Sequence, residues 1–356
     1  MGKVLMKGNE AIGEAAIRAG CLNYFAYPIT PQSEVAEYLS RRLPEVGGLF
    51  LQGESEVAVS YMILGAAAAG ERVFTTSSSP GISLMSEGIS YIAGMQLPAV
   101  FVNIMRGGPG LGGILPSQAD YLQATKGIGH GDFRLLVMAP ASVQEAAEMT
   151  MKAFPLAEKY RNPVMILGDG LIGQMMEPVE FHDNLKTKPV DKNGWATNGM
   201  DTRGSSQRNL IRSLYLDPEV LNRHNLELKA KYDRMQQEEI RFEAVNIDSD
   251  YKVLIVSYGT MSRVCRTAVD QLKAEGLEVG MIRPQTVFPF PEEAVGNAAA
   301  GKSCRAVASI EMSMGQMLED VQRSVKGRQP VHWFGKCGGE VPTPEEVIEF
   351  VRSLAR

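Results

Sequence analysis

Up to about residue 170, hydrophobic and polar positions follow two interleaved rhythms. "AIGEAAIRAG" repeats apolar positions three and four apart and stops at Gly20, as an amphipathic helix closed by glycine does. "LNYFAY" is short and mostly apolar, as a buried strand is. Thr30 as N-cap and Pro31 as first helical residue then start "PQSEVAEYLSRR". "LFLQG" leads into "SEVAVSYMILGAAAAG", and "RVFTTSSS" into "SLMSEGISYIAG". "AVFVNIM" is β-branched, "FRLLVMAP" precedes "SVQEAAEMTMKAFPLAEKY", and "PVMILGD" closes the series. Strands alternating with helices predict an α/β fold, a doubly wound and mostly parallel sheet with helices on both faces.

From Phe181 to Asp250 that pattern is lost. "HDNLKTKPVDKNGWATNGMDTRGSSQRN" is polar and turn-rich, and a charged helical stretch follows from Asn222 to Glu243. So long a structureless loop is improbable in a compact chain, which predicts an ordered connector with an exposed or partner-packed helix. A second, smaller α/β unit begins with "KVLIVSYGT" and runs through "LEVGMIRP", "AVASIEM", "GQMLEDVQRSV" and "VHWFG". Its last helix opens on Thr343-Pro344-Glu345-Glu346, a capping box with proline at the first helical position. The expected division is residues 1–180, a connector over 181–250, and residues 251–356.

A length of 356 residues suits two cores rather than one. The net charge of −5 argues against a nucleic-acid surface. The start, "MGKVLMK", reads as neither signal peptide nor membrane span, and Met6 stands where myristoylation prefers Ser or Thr. The run "YMILGAAAAG" is too short to cross a bilayer. Cys21, Cys265, Cys304 and Cys337 stand singly, so no iron–sulfur or zinc ligand set is expected, only free buried thiols in a reducing cytoplasm.

Ligands of an open parallel sheet bind beyond the carboxyl ends of its strands. "YPITP", "QGESE", "TTSSSPG" and "MRGGPGLGG" all fall at that edge. Arg106 follows an apolar strand and leads into a run of glycines. A guanidinium there suits a planar carboxylate or phosphate; its plainer role is to bond nearby carbonyls and hold the loop. The loop lacks the G-K-[ST] ending of a phosphate loop. Glu54 and Glu56 stand where the second strand gives way to a long apolar helix. With Ser55 as N-cap, Glu56 lies in the first turn, where it either answers the helix dipole or, partly desolvated, donates or shares a proton. Thr30 can cap with its oxygen and still offer its proton to a ligand. His130, in "GIGHGDF", sits in a turn near the same edge, placed for a ligand or for holding the loop. "GDG" at Gly168–Gly170 has the opening of a magnesium–diphosphate motif, with Asn193 and Asn198 near the closing position. Pro178 and the polar segment after it break the helix and strand such a motif requires, so "PVMILGDG" reads as a strand end and turn.

Together these stretches resemble the α subunits of multi-subunit 2-oxoacid:ferredoxin oxidoreductases. The likeness is carried by "YPITPQSE", "SEVAVSYMILGAA", "TTSSSPGISLMSEG", "MRGGPGLGG", "PSQADYLQA" and "GHGDF", and in the second unit by "RPQTVFPFP" and "GGEVPTPEEV". It runs nearly end to end and is nearest to the branched-chain (2-oxoisovalerate) type, then to the 2-oxoglutarate type. The resemblance implies a pyrimidine-binding thiamine diphosphate domain followed by a transketolase-C-terminal-like domain. It implies that Glu56 bonds the aminopyrimidine ring of the cofactor, favouring the imino tautomer whose exocyclic nitrogen takes the C2 proton. Tyr27, Pro28, Ser79 and Pro80 would lie beside the cofactor. Arg106 would pair with the substrate carboxylate, and Thr30 and Ile29 would meet the substrate. Many relatives carry Pro-Ser-Thr-Gly where this chain has "PGLGG", and the missing hydroxyls lean toward an apolar substrate.

The chain has neither a diphosphate motif nor cluster cysteines, and no metal site is expected in it. The resemblance therefore implies partners: a β subunit supplying the magnesium–diphosphate half of the cofactor site, a γ subunit, a ferredoxin-like iron–sulfur subunit, and ferredoxin as electron acceptor. Coenzyme A would take the acyl group in an oxidative decarboxylation. Another thiamine reaction, such as non-oxidative decarboxylation or ketol transfer, and a non-catalytic assembly role are the alternatives.

Overall fold

The computed structural model describes residues 2–188, 190–199 and 208–356. The alternation of the first stretch becomes six parallel strands in the order Leu136–Met138, Pro163–Asp169, Ala99–Met105, Val73–Ser77, Asn23–Ala26 and Leu49–Gln52. The central strands Ala99–Met105 and Pro163–Asp169 are buried throughout, which is why they read as unbroken apolar runs. The edge strand is different: Leu49 and Leu51 remain 48% and 44% exposed. Helix Gly8–Arg18 packs on Ser33–Glu45 and Val143–Tyr160, and helix Glu56–Ala68 packs on Ser86–Gly94. Val4–Lys7 pairs antiparallel with Met176–Val179 in a separate ribbon, a long-range pairing that the local pattern could not announce.

The second sheet runs Val331–Gly335, Ala306–Glu311, Val253–Val256, Val279–Pro284 and Phe242–Val245, the last antiparallel. The two units exchange strands at their seam. Phe242–Val245 comes from the connector's range, while Thr286–Phe288 leaves the second unit to pair antiparallel with Leu136–Met138 of the first sheet. The capping box at Thr343 is present, its hydroxyl accepting the N–H of Glu346 at 3.3 Å.

The charged helix of the connector runs over Pro218–Glu238, so the expected span of Asn222 to Glu243 is corrected at both ends. Asp217 caps it, accepting the N–H groups of Glu219 and Val220. Leu228, Tyr232 and Met235 form its apolar stripe and join the large core shared by the two units, so this helix packs on its own chain. Burial among Arg161 and Arg234 pushes the Lys231 ammonium on the same face down to about 7. Residues 189 and 200–207 of the connector lie outside the described residues. All four thiols are free; Cys21, Cys265 and Cys304 are buried, but Cys337 is exposed, correcting the expectation for that one. Among the described residues no helix is long and apolar enough to cross a membrane.

The connector is tied down by a buried charge cluster. Arg72 donates to Glu158 at 2.9 and 2.6 Å and also to the carbonyls of Thr187 and Lys188, and Lys192 reaches Glu158 at 2.9 Å. Burial alone would raise the Glu158 carboxyl, but the two cations outweigh it and hold it below the usual range. Its stabilising contribution is therefore present above the unfolded-state carboxylate pKa and lost as the pH falls through the lower folded value. Glu158→Ala leaves two buried cations face to face and is expected to lower stability by about 3–5 kcal/mol at neutral pH, a loss that shrinks on acidification. Melting curves of wild type and variant between neutral and acidic pH check both the size and the pH trend.

Candidate active site

The turn "YPITP" is stitched from outside rather than capped from within. Asn9 Nδ2 donates to Pro31 O at 2.8 Å, and Gln174 Nε2 reaches the same oxygen at 3.1 Å. Gln32 is fully buried: its side-chain oxygen accepts from the Thr76 hydroxyl at 2.5 Å and its backbone N–H donates to Ile29 O at 3.1 Å. The helix consequently begins at Ser33 with Gln32 before it, and Thr30 is not its N-cap, nor Pro31 its first residue. The physical reason is the pull of Thr76 on Gln32, a partner far away in the chain. Thr30 is exposed, its hydroxyl free of partners among the described residues and its carbonyl taken by Arg106 at 3.0 Å. Tyr27 and Ile29 are half-buried and Pro28 is exposed.

Ser55 caps the helix Glu56–Ala68 as expected, its hydroxyl accepting the N–H of Ala58 at 3.2 Å and donating to the exposed Glu54 at 2.7 Å. Glu56 is 5% exposed, yet no hydrogen bond from any described residue reaches its carboxyl. It lies against Gly81: a methyl group there would stand 2.8 Å from Glu56 Oε1 and 2.1 Å from Ser77 Oγ. The hydroxyls of Ser77 and Ser78 are buried and unpartnered as well. A carboxyl without a hydrogen-bond partner thus meets two buried, unpartnered hydroxyls at one corner, a combination that favours a polar partner.

Arg106 stands on the other side of that corner, 7% exposed. Its guanidinium donates to Thr30 O and Leu111 O, both at 3.0 Å, so it does hold the loops together. Its Nε–H is buried with no acceptor, and two further N–H groups are unspent. The glycine loop folds back on itself, Gly113 N–H donating to Gly107 O at 2.8 Å; at Gly112, with φ +61°, a methyl group would meet that oxygen at 1.7 Å. Ser79 is engaged with Arg106 N–H at 3.0 Å and with Asp120 at 2.5 Å, while Pro80 is half-buried beside it. The structure thus gathers Tyr27 to Thr30, Glu56, Ser79, Pro80 and Arg106 at one sheet edge.

His130 is exposed, and its carbonyl accepts from Ser90 at 2.7 Å. Asp169 is buried and caps the short helix Gly170–Gln174 through the N–H groups of Leu171 and Ile172; burial raises its carboxyl above the usual range. Asn198 donates to Asn193 at 2.8 Å within the connector. Clefts of about 380 and 400 Å³ lie at the seam between the units, one lined by Lys126, Arg134 and Phe288, the other by Glu145, Glu243 and Arg283. Neither is lined by Glu56 or Arg106. Gln32, Asn103, Gln118 and Asp120 belong to the site's framework and carry no local signal, because each works through a distant partner.

The family model for pyruvate flavodoxin/ferredoxin oxidoreductase, thiamine diphosphate-binding, matches residues 14–243, and that for pyruvate:ferredoxin oxidoreductase core domain II matches residues 252–347. The chain belongs to the 2-oxoacid:ferredoxin oxidoreductase family. It is 47% identical to the ketoisovalerate oxidoreductase subunit VorB of Methanothermobacter thermautotrophicus, over 100% of this chain and 99% of the relative. It is 36% identical to the 2-oxoglutarate synthase subunit KorA of Methanocaldococcus jannaschii, over 96% and 97%. The solved 2-oxoglutarate:ferredoxin oxidoreductase from Magnetococcus marinus superposes with a TM-score of 0.85 at 27% identity, covering 99% of this chain and 65% of that one.

The residues present fit the aminopyrimidine end of that cofactor. The Glu56 carboxyl against Gly81, the two buried unpartnered hydroxyls of Ser77 and Ser78, and a glycine with no room for a methyl group leave a polar wall that a flat ring with donors and acceptors can meet. Gly81→Ala pushes into Ser77 and Glu56. It is expected to weaken thiamine diphosphate binding to the assembled complex about tenfold or more, in keeping with ~1–3 kcal/mol of overpacking; equilibrium titration of the cofactor checks it.

Proposed function

We propose that this chain acts with partner subunits in the oxidative decarboxylation of a branched-chain 2-oxoacid, such as 2-oxoisovalerate, to its acyl-CoA with reduction of ferredoxin. The observation that carries the reading is one corner, Ser77 to Gly81, with the Glu56 carboxyl packed on one side and a buried guanidinium with unspent donors on the other. Glu56 is the group that holds a proton against the pyrimidine ring, and it is the catalytic residue of the reading. Arg106 binds the substrate carboxylate through the donors left after Thr30 O and Leu111 O are served, and Thr30 offers its free hydroxyl beside it. Tyr27 and Pro28 flank the cofactor and Ile29 the substrate. Bound thiamine diphosphate supplies the electron sink that lets the carboxylate leave as carbon dioxide.

The apolar "PGLGG" loop supports a branched side chain on the substrate, in line with the name of the VorB relative. The KorA relatives support the second reading, a 2-oxoglutarate oxidoreductase. Partners of the kind the resemblance implies would supply the magnesium–diphosphate half of the site, the iron–sulfur clusters and the path to ferredoxin, all in the cytoplasm. Leu111, Ile114 and Leu115, 83%, 59% and 57% exposed around the loop, are surface that such a partner would cover.

Glu56→Ala is expected to assemble normally and to lose at least about a hundredfold in turnover, judged by general-acid–base contributions elsewhere; wild-type rates in the variant would remove its catalytic role. Arg106→Ala is expected to raise the KM for the oxoacid about a hundredfold, the loss of a charge-assisted pair. Assaying the purified complex with 2-oxoisovalerate, 2-oxoglutarate, pyruvate and indolepyruvate, with a low-potential acceptor recorded, separates the two substrate readings.

A further inference from the structure

The loop that carries Arg106 leaves the sheet and returns at Asp120, and both of its ends close on one hydroxyl. Ser79 Oγ accepts the N–H of Arg106 at 3.0 Å and donates to Asp120 Oδ2 at 2.5 Å. The same carboxylate oxygen accepts from Asn103 Nδ2 at 2.9 Å, and Asn103 Oδ1 accepts the N–H of Ser79 at 3.0 Å. Asp120, Ser79 and Asn103 thus form a closed hydrogen-bonded ring beneath the point where Arg106 departs from its strand. Asp120 is itself held from behind. Two residues earlier, Gln118 donates through Nε2 to Tyr258 O at 2.9 Å and accepts the N–H of Met312 at 2.9 Å, and its own N–H donates to Met312 O at 2.9 Å. The second unit thereby fixes where on the main chain Asp120 stands.

We propose that Asp120 is a positioning residue for Arg106: acting through the Ser79 hydroxyl, it sets the place and direction from which the guanidinium meets the substrate carboxylate. This rests on the reading of Arg106 given above. Burial raises the Asp120 carboxyl above its usual range, although Ser79, Asn103 and Arg106 all pull it down. Keeping that charge therefore costs the fold, as is common where a group is retained for a site rather than for stability. In the structure the Ser79 hydroxyl is engaged with Arg106 and Asp120, so it links the two.

The test uses the assembled complex and four variants: Arg106→Ala, Asp120→Ala, Asp120→Asn and the double variant Arg106→Ala/Asp120→Ala. Two quantities are read: kcat and KM with the preferred oxoacid, and the Kd of its 2-hydroxy acid, which keeps the carboxylate but cannot be decarboxylated. Asp120→Ala is expected to raise KM and Kd about tenfold with kcat within about threefold of wild type. Asp120→Asn, whose oxygen can accept both hydrogen bonds, is expected to stay within about threefold of wild type in both, and the double variant to be no worse than Arg106→Ala. If Arg106→Ala raises KM and Asp120→Ala does not, the positioning role is wrong and the carboxylate role of Arg106 stands. If Arg106→Ala changes neither quantity, the carboxylate role fails and the positioning role falls with it. Additive losses in the double variant overturn the proposal as well, since Asp120 would then act elsewhere. Should Asp120→Ala fail to assemble, Ser79→Ala cuts the same link and must show the same shift.

Discussion

One constraint governs the site: after Ser77 the chain turns directly into a helix with no space to spare. Gly81 lies so close to Ser77 and Glu56 that a single methyl group would not fit, and one residue pair earlier Ser79 is bonded to the backbone of Arg106. The corner therefore constrains how a carboxyl at the start of one helix stands relative to a guanidinium just past the strand Ala99–Met105. Close packing transmits position at this scale because neither neighbour can shift without displacing buried atoms. A cofactor ring on one side and a substrate carboxylate on the other would be registered by the same few residues.

The second unit braces that corner through backbone contacts to Gln118. Strand exchange at the seam, with Thr286–Phe288 in the first sheet and Phe242–Val245 in the second, couples the two cores. Gln118 then binds the returning limb of the glycine loop to Tyr258 and Met312. A loop so rich in glycine would otherwise sample many conformations, and pinning its far end removes that freedom before substrate arrives. The near side stays open: Leu49, Leu51, Leu111 and Leu115 leave apolar surface uncovered, in keeping with relatives that are named as subunits.

Much of this was legible in the order of residues. Strands buried on both faces must be apolar throughout, so the parallel sheet showed as runs such as "AVFVNIM" separated by helical periods. Ser55 and Thr343 are caps whose partners lie three residues on, and both were read correctly for that reason. Glu56 and Arg106 stood out because each sits at an element boundary on the binding edge. Local rules failed where a distant residue outbid a near one. Thr30 had every local qualification for an N-cap, yet Gln32, drawn inward by Thr76, moved the helix start to Ser33.

The chain's order alone thus determined most of the elements, the parallel order of the first sheet and two charged residues at its strand-end edge, because periodicity, caps and strand ends are short-range physics. Only the tertiary structure decided that Glu56 lacks a partner, that Ser79 is spent on Arg106 and Asp120, and that the second unit grips the glycine loop through Gln118. Those facts depend on hydrogen bonds between residues far apart in the chain, and nothing in a local pattern specifies which of several polar side chains will meet.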